Sequence, residues 1–150
     1  MPQLHEPTDL TIRNDLAELP TVSEMVDRIG AEAGMPPRAL MQLQVALDEI
    51  LSNVIKYAWP DGGAHALHVS VKLAEDAMEV VVIDDGRPFD PRAQAPPEPP
   101  PLGRRPRPGG VGIHMVRQLV DDFNYARVDG HNRITVTKRY ASDLPQHERK

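Results

Sequence analysis

With 150 residues, 22 acidic and 17 basic side chains and a net charge of −5, the chain has room for one cored domain and lacks the basic footprint of a nucleic-acid binder. It contains no cysteine, which excludes a disulfide framework and thiolate metal sites. A polar N-terminus and the lack of a long apolar run argue against a signal peptide or membrane span, so the expectation is a soluble cytoplasmic domain with no direct nucleic-acid or membrane contact.

Residues 9–15, DLTIRND, alternate well enough for a short strand with Leu10 and Ile12 on one face. Thr21 and Glu24 form a capping-box signature, and Val22, Met25, Val26, Ile29 and Ala33 behind it lay out a helical stripe that Gly34 and Pro36 stop. A second helix begins near Pro37 and runs to Trp59, where Pro60-Asp61-Gly62-Gly63 signals a turn. Two strands follow, 65–73 and 77–85, with Glu75-Asp76 between them. Leu67, Val69, Val71 and Leu73 alternate as a strand with one wet face should, whereas the unbroken Val80-Val81-Val82-Ile83 predicts a central strand buried on both faces. His65 and His68 then fall on opposite faces of a strand, which argues against a metal pair.

From Gly86 to Gly110 the pattern breaks. Nine of the sixteen prolines lie here, with five arginines (87, 92, 104, 105, 107) against Asp90 and Glu98. Long loops inside a compact domain are usually lids or binding loops, and this one reads as a cationic lid over about 86–110. Gly109-Gly110-Val111-Gly112 opens a third helix, IHMVRQLVDDF, and a hairpin turning at Asp129-Gly130 closes the domain. The charged tail from about Ala141 is expected to fray. This order predicts a single α+β domain over 1–150: a two-layer α/β sandwich whose mixed, mostly antiparallel sheet carries helices on one face.

Chemistry concentrates in three places. Glu49 and Asn53 are four apart on the second helix, one turn above each other. The acid can take a proton, and the amide oxygen can coordinate a hard cation such as Mg²⁺. Such pairs are common on surface helices, so the pair carries no function alone. Asp84-Asp85-Gly86 ends the buried strand, where Asp84 can accept a hydrogen bond from an exocyclic amine and so select adenine, and Gly86 lets a base approach closely. The glycine-rich turn frees backbone N–H groups at a helix start, an anion site that suits a polyphosphate.

These three stretches resemble the boxes of one fold. ALDEILSNVIKYAW (46–59) resembles the N box of the GHKL ATP-binding fold shared by gyrase, Hsp90, histidine kinases and MutL. VIDDGRPFDP (82–91) resembles its first glycine box, and GGVGIHMVRQLVDDF (109–123) its second. The wording is most similar to stand-alone serine kinases that act as anti-sigma factors in bacterial partner switching, the RsbW and SpoIIAB type. The likeness runs from the first strand to the NRITVTK strand. One departure is Pro88, which stands at the last glycine of the D-x-G-x-G pattern in a GRPFDP form that resembles a variant frequent among these small kinases.

The resemblance implies ATP and Mg²⁺ as cofactors, with Glu49 as general base and Asn53 as the Mg²⁺ ligand. Asp84 would read the adenine amino group, Gly86 would shape the base pocket, and Gly110, Val111 and Gly112 would cradle phosphate. Lys56 matches a basic position of the N box and would touch phosphate. The implied partners are a STAS-domain anti-anti-sigma protein as phosphorylation substrate and a sigma factor or other client; a homodimer is among the assemblies it allows. Two alternatives stay open: a non-catalytic nucleotide-dependent binding module, for which Glu49 would be superfluous, and the ATPase fragment of a two-component kinase.

Overall fold

Alternation along the strands and a 3.6-residue period between them partition the molecule into a sheet and a helical layer. The computed structural model describes residues 6–93 and 112–141. In chain order the elements are β1 (Thr8–Arg13), α1 (Leu19–Glu32), α2 (Pro37–Tyr57), β2 (Ala66–Ala74), β3 (Ala77–Asp84), α3 (Gly112–Leu119), β4 (Asp122–Val128) and β5 (His131–Arg139). The five strands lie in the order β1-β2-β3-β5-β4, and every neighbouring pair is antiparallel, so the described sheet has no parallel pair. The expected two-layer α+β sandwich is what forms. No helix among the described residues is long and apolar enough to cross a membrane. The stretch 94–111, which holds most of the expected lid together with Gly110 and Val111, and the tail beyond 141 lie outside the described residues.

One face of the sheet is apolar because register puts like with like. Val69 faces Val82 and Val71 faces Val80, while on the other side of β3 Val80 faces Val136 and Val82 faces Ile134. These residues join one core with Val22, Val26 and Ile29 of α1, Leu43, Leu47, Ile50, Leu51 and Val54 of α2, and Ile113 and Val116 of α3. The helices therefore all cover this face. The opposite face carries Thr11, His68, Lys72 and Arg133, with a Thr11 Oγ1–His68 Nδ1 hydrogen bond of 2.7 Å. β3 is central as expected, but its second face is not a second core: Val81 is buried outside the main cluster and Ile83 is only half-buried.

α2 ends at Tyr57 and not Trp59, and β2 and β3 shift by a single residue at their ends. Three further boundaries differ from the sequence expectation, each for a local reason. β1 stops at Arg13 because Asn14 turns to the α2–β2 connection, donating from Nδ2 to Gly63 O at 2.9 Å and accepting from His65 N at 2.9 Å. α1 starts at Leu19, before the capping box: Asp15 caps the preceding 3-10 turn (Leu16–Glu18) by accepting from Ala17 N, and the helix grows from that turn, leaving Thr21 inside it. α3 ends at Leu119 and not at Phe123. The Lys138 ammonium takes the Leu119 carbonyl at 2.7 Å and Asp121 N donates to Thr137 O at 2.9 Å, which peels the chain into β4.

Candidate functional site

Burial of α2 aims its polar residues. Leu43, Leu47, Ile50, Leu51 and Val54 are each 2% exposed or less. A fully buried aliphatic side chain of this kind contributes roughly 1.5–3 kcal/mol, so turning the helix about its axis would forfeit far more than any surface pairing could return. Glu49 is thereby held half-buried at the margin of the apolar stripe, and Asn53 is drawn under to 7% exposure. Asn53 Nδ2 donates to the Glu49 carbonyl at 2.7 Å, which fixes the amide and leaves Oδ1 without a hydrogen bond among the described residues. A free, hard oxygen on a buried amide is what a magnesium ion needs from a protein ligand. Asn53 Oδ1 fits that ion and would be its ligand from the protein.

The end of β3 is tied to the end of α2. Arg87 N donates to Ala58 O and Arg87 Nε to Tyr57 O, both at 2.8 Å, so this loop occupies the carbonyl end of the helix, where a cation is favoured. Gly86 is what allows the approach: a Cβ there would lie 2.7 Å from Ala58 Cβ and 2.5 Å from its carbonyl oxygen. Its φ is not left-handed, so space, not backbone conformation, demands glycine at this position. The end of α2 fills the space on the side where a Cβ would stand. Arg127 of β4 adds a bond from Nη1 to Gly86 O at 2.8 Å.

Asp84 sits 2% exposed on the helix-facing side of the sheet. Its Oδ1 accepts from Gly86 N at 2.8 Å and from Asn132 Nδ2 at 2.9 Å. Burial pushes its carboxyl above the ordinary range, against the pull of those two hydrogen bonds and the Arg127 charge, with Asp85 adding to the rise. Oδ2 makes no hydrogen bond among the described residues, yet among those same residues no fully enclosed side-chain oxygen or nitrogen lacks a partner. The free oxygen therefore opens onto accessible space.

Glu49 and Gly112 meet. A Cβ on Gly112 would collide with the Glu49 carboxylate, so the acid of α2 lies against the first residue of α3. That brings together two residues 63 positions apart (112 minus 49) that the sequence assigned to proton transfer and to phosphate. Lys56 is exposed on the last turn of α2, with no hydrogen bond among the described residues. Gly110 and Val111 lie outside the described residues.

Among the described residues the buried polar side chains are Asn53, Asp84 and Asn132. Two were expected at the site, and Asn132 was not. The signal was present: Asn132, Ile134 and Val136 share one face after the Asp129-Gly130 turn, so a polar residue stands on an otherwise apolar stripe. A second unforeseen cluster flanks the loop. Trp59 stacks on His65 with ring centroids 5.0 Å apart, donates from Nε1 to Asp85 Oδ1 at 3.1 Å, and His65 Nε2 pairs with Asp61 at 2.9 Å. His65 precedes β2 and does not share a strand with His68.

A family model described as the histidine kinase-like ATPase domain matches residues 12–138. The chain belongs to this family. Among curated relatives it is similar to the serine/threonine-protein kinase BtrW of Bordetella bronchiseptica, 28% identical over 109 residues that span 71% of this chain and 75% of that protein. It is 30% identical over 114 residues to the serine-protein kinase RsbW of Listeria monocytogenes serotype 4b, covering 73% and 72% of the two. With the RsbW of Halalkalibacterium halodurans it shares 31% over 105 residues, spanning 67% of this chain but only 61% of the relative. The solved RsbU and RsbW domains of Rv1364c from Mycobacterium tuberculosis superpose with a TM-score of 0.62 at 19% identity, covering 90% of this chain and 32% of that one. At that identity the superposition speaks for the fold alone.

Proposed function

We propose that this chain is an ATP-dependent protein serine/threonine kinase of the partner-switching, anti-sigma kind, working as one ATP-binding domain with a lid over about 86–110. The observation that supports it most is the contact between Glu49 and Gly112, since it joins a candidate base to the start of the helix expected to hold phosphate. The adenine amino group is read by Asp84 Oδ2, and Asn53 Oδ1 is the protein ligand for Mg²⁺. When bound, that ion neutralises charge on the phosphate oxygens. Glu49 takes the proton from a Ser or Thr hydroxyl as its oxygen forms the new bond to the γ-phosphorus and the bond to the departing ADP oxygen breaks. The site does little covalent work itself; it positions the reactants and stabilises charge.

The phosphate acceptor is a STAS-domain anti-anti-sigma protein, and the alternative client a sigma factor or comparable regulator. A new phosphate on the antagonist brings nearly two negative charges to a chain that is itself acidic, so phosphorylation would loosen that pair and free the kinase for its client. Incubation with γ-labelled ATP, Mg²⁺ and a candidate STAS protein tests the reading, with label expected on a Ser or Thr of the antagonist. Nucleotide-dependent complex formation without transfer would indicate a binding module, and hydrolysis without transfer an ATPase fragment.

A further inference from the structure

Asp84 does not hold its orientation alone. In the β3–β5 register it lies opposite Asn132, on the face covered by the helices. Asn132 is 1% exposed and makes four hydrogen bonds. Its Nδ2 donates to Asp84 Oδ1 at 2.9 Å and to Arg87 O at 2.7 Å, while its Oδ1 accepts from Phe89 N at 3.2 Å and from the Tyr125 hydroxyl. An amide has two N–H donors and two oxygen lone pairs, so Asn132 is saturated. Its orientation is also forced: turning the amide over would set Nδ2 against the Phe89 N–H and the amide oxygen against two acceptors.

The saturation passes to Asp84. With Asn132 and the Gly86 amide both on Oδ1, that oxygen has no capacity left, and Oδ2 makes no hydrogen bond among the described residues. Asp84 therefore offers one acceptor in one direction. A 6-amino purine presents an N–H donor to it, whereas a 6-oxo purine presents a second acceptor and is repelled. We propose that Asn132, braced by Tyr125, is the positioning residue that sets this site's preference for 6-amino over 6-oxo purine nucleotides, acting through Asp84. This rests on the reading of Asp84 as the base-recognising carboxylate and extends it to a residue outside the three motifs.

A structural strut and a positioning residue differ in two readouts. Loss of a strut weakens all nucleotides alike; loss of the positioning bond lets the carboxylate rotate and erodes discrimination. The Asn132 bond also lowers the Asp84 proton affinity against burial. Removing it should move the acid limb of ATP binding to higher pH. The other charged or titratable groups near Asp84 are Asp85 and Arg87 of the same loop and Tyr125 and Arg127 of β4, and all of them remain in Asn132→Ala.

The experiment is calorimetric titration of the full chain with ATP and inosine triphosphate, across pH, for wild type, Asn132→Ala, Tyr125→Phe and Asp84→Asn. In Asn132→Ala, ATP affinity should fall about tenfold, as expected for a lost hydrogen bond to a charged group, and the ATP-to-ITP ratio should fall with it. Tyr125→Phe should lower the ratio by a smaller factor, and it decides the matter should Asn132→Ala fail to fold. Equal losses for both nucleotides, or a wild-type ratio in folded Tyr125→Phe, would overturn the role of Asn132. A ratio untouched in Asp84→Asn would instead overturn the reading of Asp84, whereas a collapse there beside an intact ratio in Asn132→Ala refutes the Asn132 proposal alone.

Discussion

The two halves of the candidate site are built on opposite plans. Around Asp84 the protein supplies nearly every hydrogen bond itself: Gly86 and Asn132 to the carboxylate, Tyr125 and Phe89 to Asn132, Arg127 to the Gly86 carbonyl, and Arg87 from the same loop to the Tyr57 carbonyl of α2. Around the Glu49 side chain the described residues supply none. Its carboxylate accepts no hydrogen bond among the described residues and simply abuts Gly112. The contrast fits the roles proposed for the two acids. A carboxylate that reads a base must keep one direction, so it is braced. A carboxylate that takes a proton must change charge state, and a full set of donors would hold it ionised and make it a poor base.

The largest expected effect breaks the comparison on the Glu49 side. Glu49→Gln keeps the shape and removes the proton acceptor, so phosphotransfer should fall by about 10²–10⁴, the scale of a lost general base, while ATP affinity stays within a few-fold. Single-turnover transfer and calorimetric binding on one preparation measure both. Parallel loss of binding and turnover would make Glu49 a structural residue.

Asp84→Asn attacks the braced side, and its effect should be on binding. Losing a charged hydrogen bond should weaken ATP by about 10–100-fold. Stability should move the other way. Burial raises the Asp84 pKa in the folded state, so the native chain binds the proton more tightly than the unfolded one. The ionised form therefore costs stability, and the cost sets in as pH rises from the unfolded value through the raised folded value. It is full above the raised folded value and absent in acid. The Asn variant should melt no lower than wild type at pH 7–8, with any advantage fading on acidification; a variant that melts well below wild type at neutral pH would show that the carboxylate is there for the fold.

How much of this was legible follows from the range of each interaction. The α2 stripe and the alternation in β2 are local periodicities, and they suffice to assign the layers and to set Glu49 and Asn53 on one helix. Asp84 was found because a strand-end acid before glycine is also a local pattern. Asn132 was missed because its meaning depends on register with β3, 48 residues upstream, and on Tyr125 across a hairpin. The end of α3 was missed because a lysine on β5 decides it. The glycines show the same limit: the sequence announced Gly86 and Gly112 but not which neighbours would stand beside them.

Those two glycines give the finest test, because a methyl group at each meets a different kind of neighbour. At Gly86 it meets the Ala58 backbone, held by Arg87 and by the core under α2, which cannot move without displacing a helix end. Gly86→Ala should therefore cost about 1–3 kcal/mol of stability, the usual scale of overpacking, and weaken nucleotide binding with it. At Gly112 the methyl meets the tip of the Glu49 side chain, which can rotate away. Alanine in the first turn of α3 also recovers some of the roughly 0.5–1 kcal/mol that glycine costs in a helix, so Gly112→Ala should melt near wild type. Its turnover should nevertheless fall about tenfold, because a catalytic group displaced by an ångström loses much of its effect. Denaturant melts and transfer rates on both variants measure the difference. If Gly112→Ala loses stability as Gly86→Ala does, the carboxylate of Glu49 is as firmly held as that of Asp84, and the two halves of the site are built alike after all.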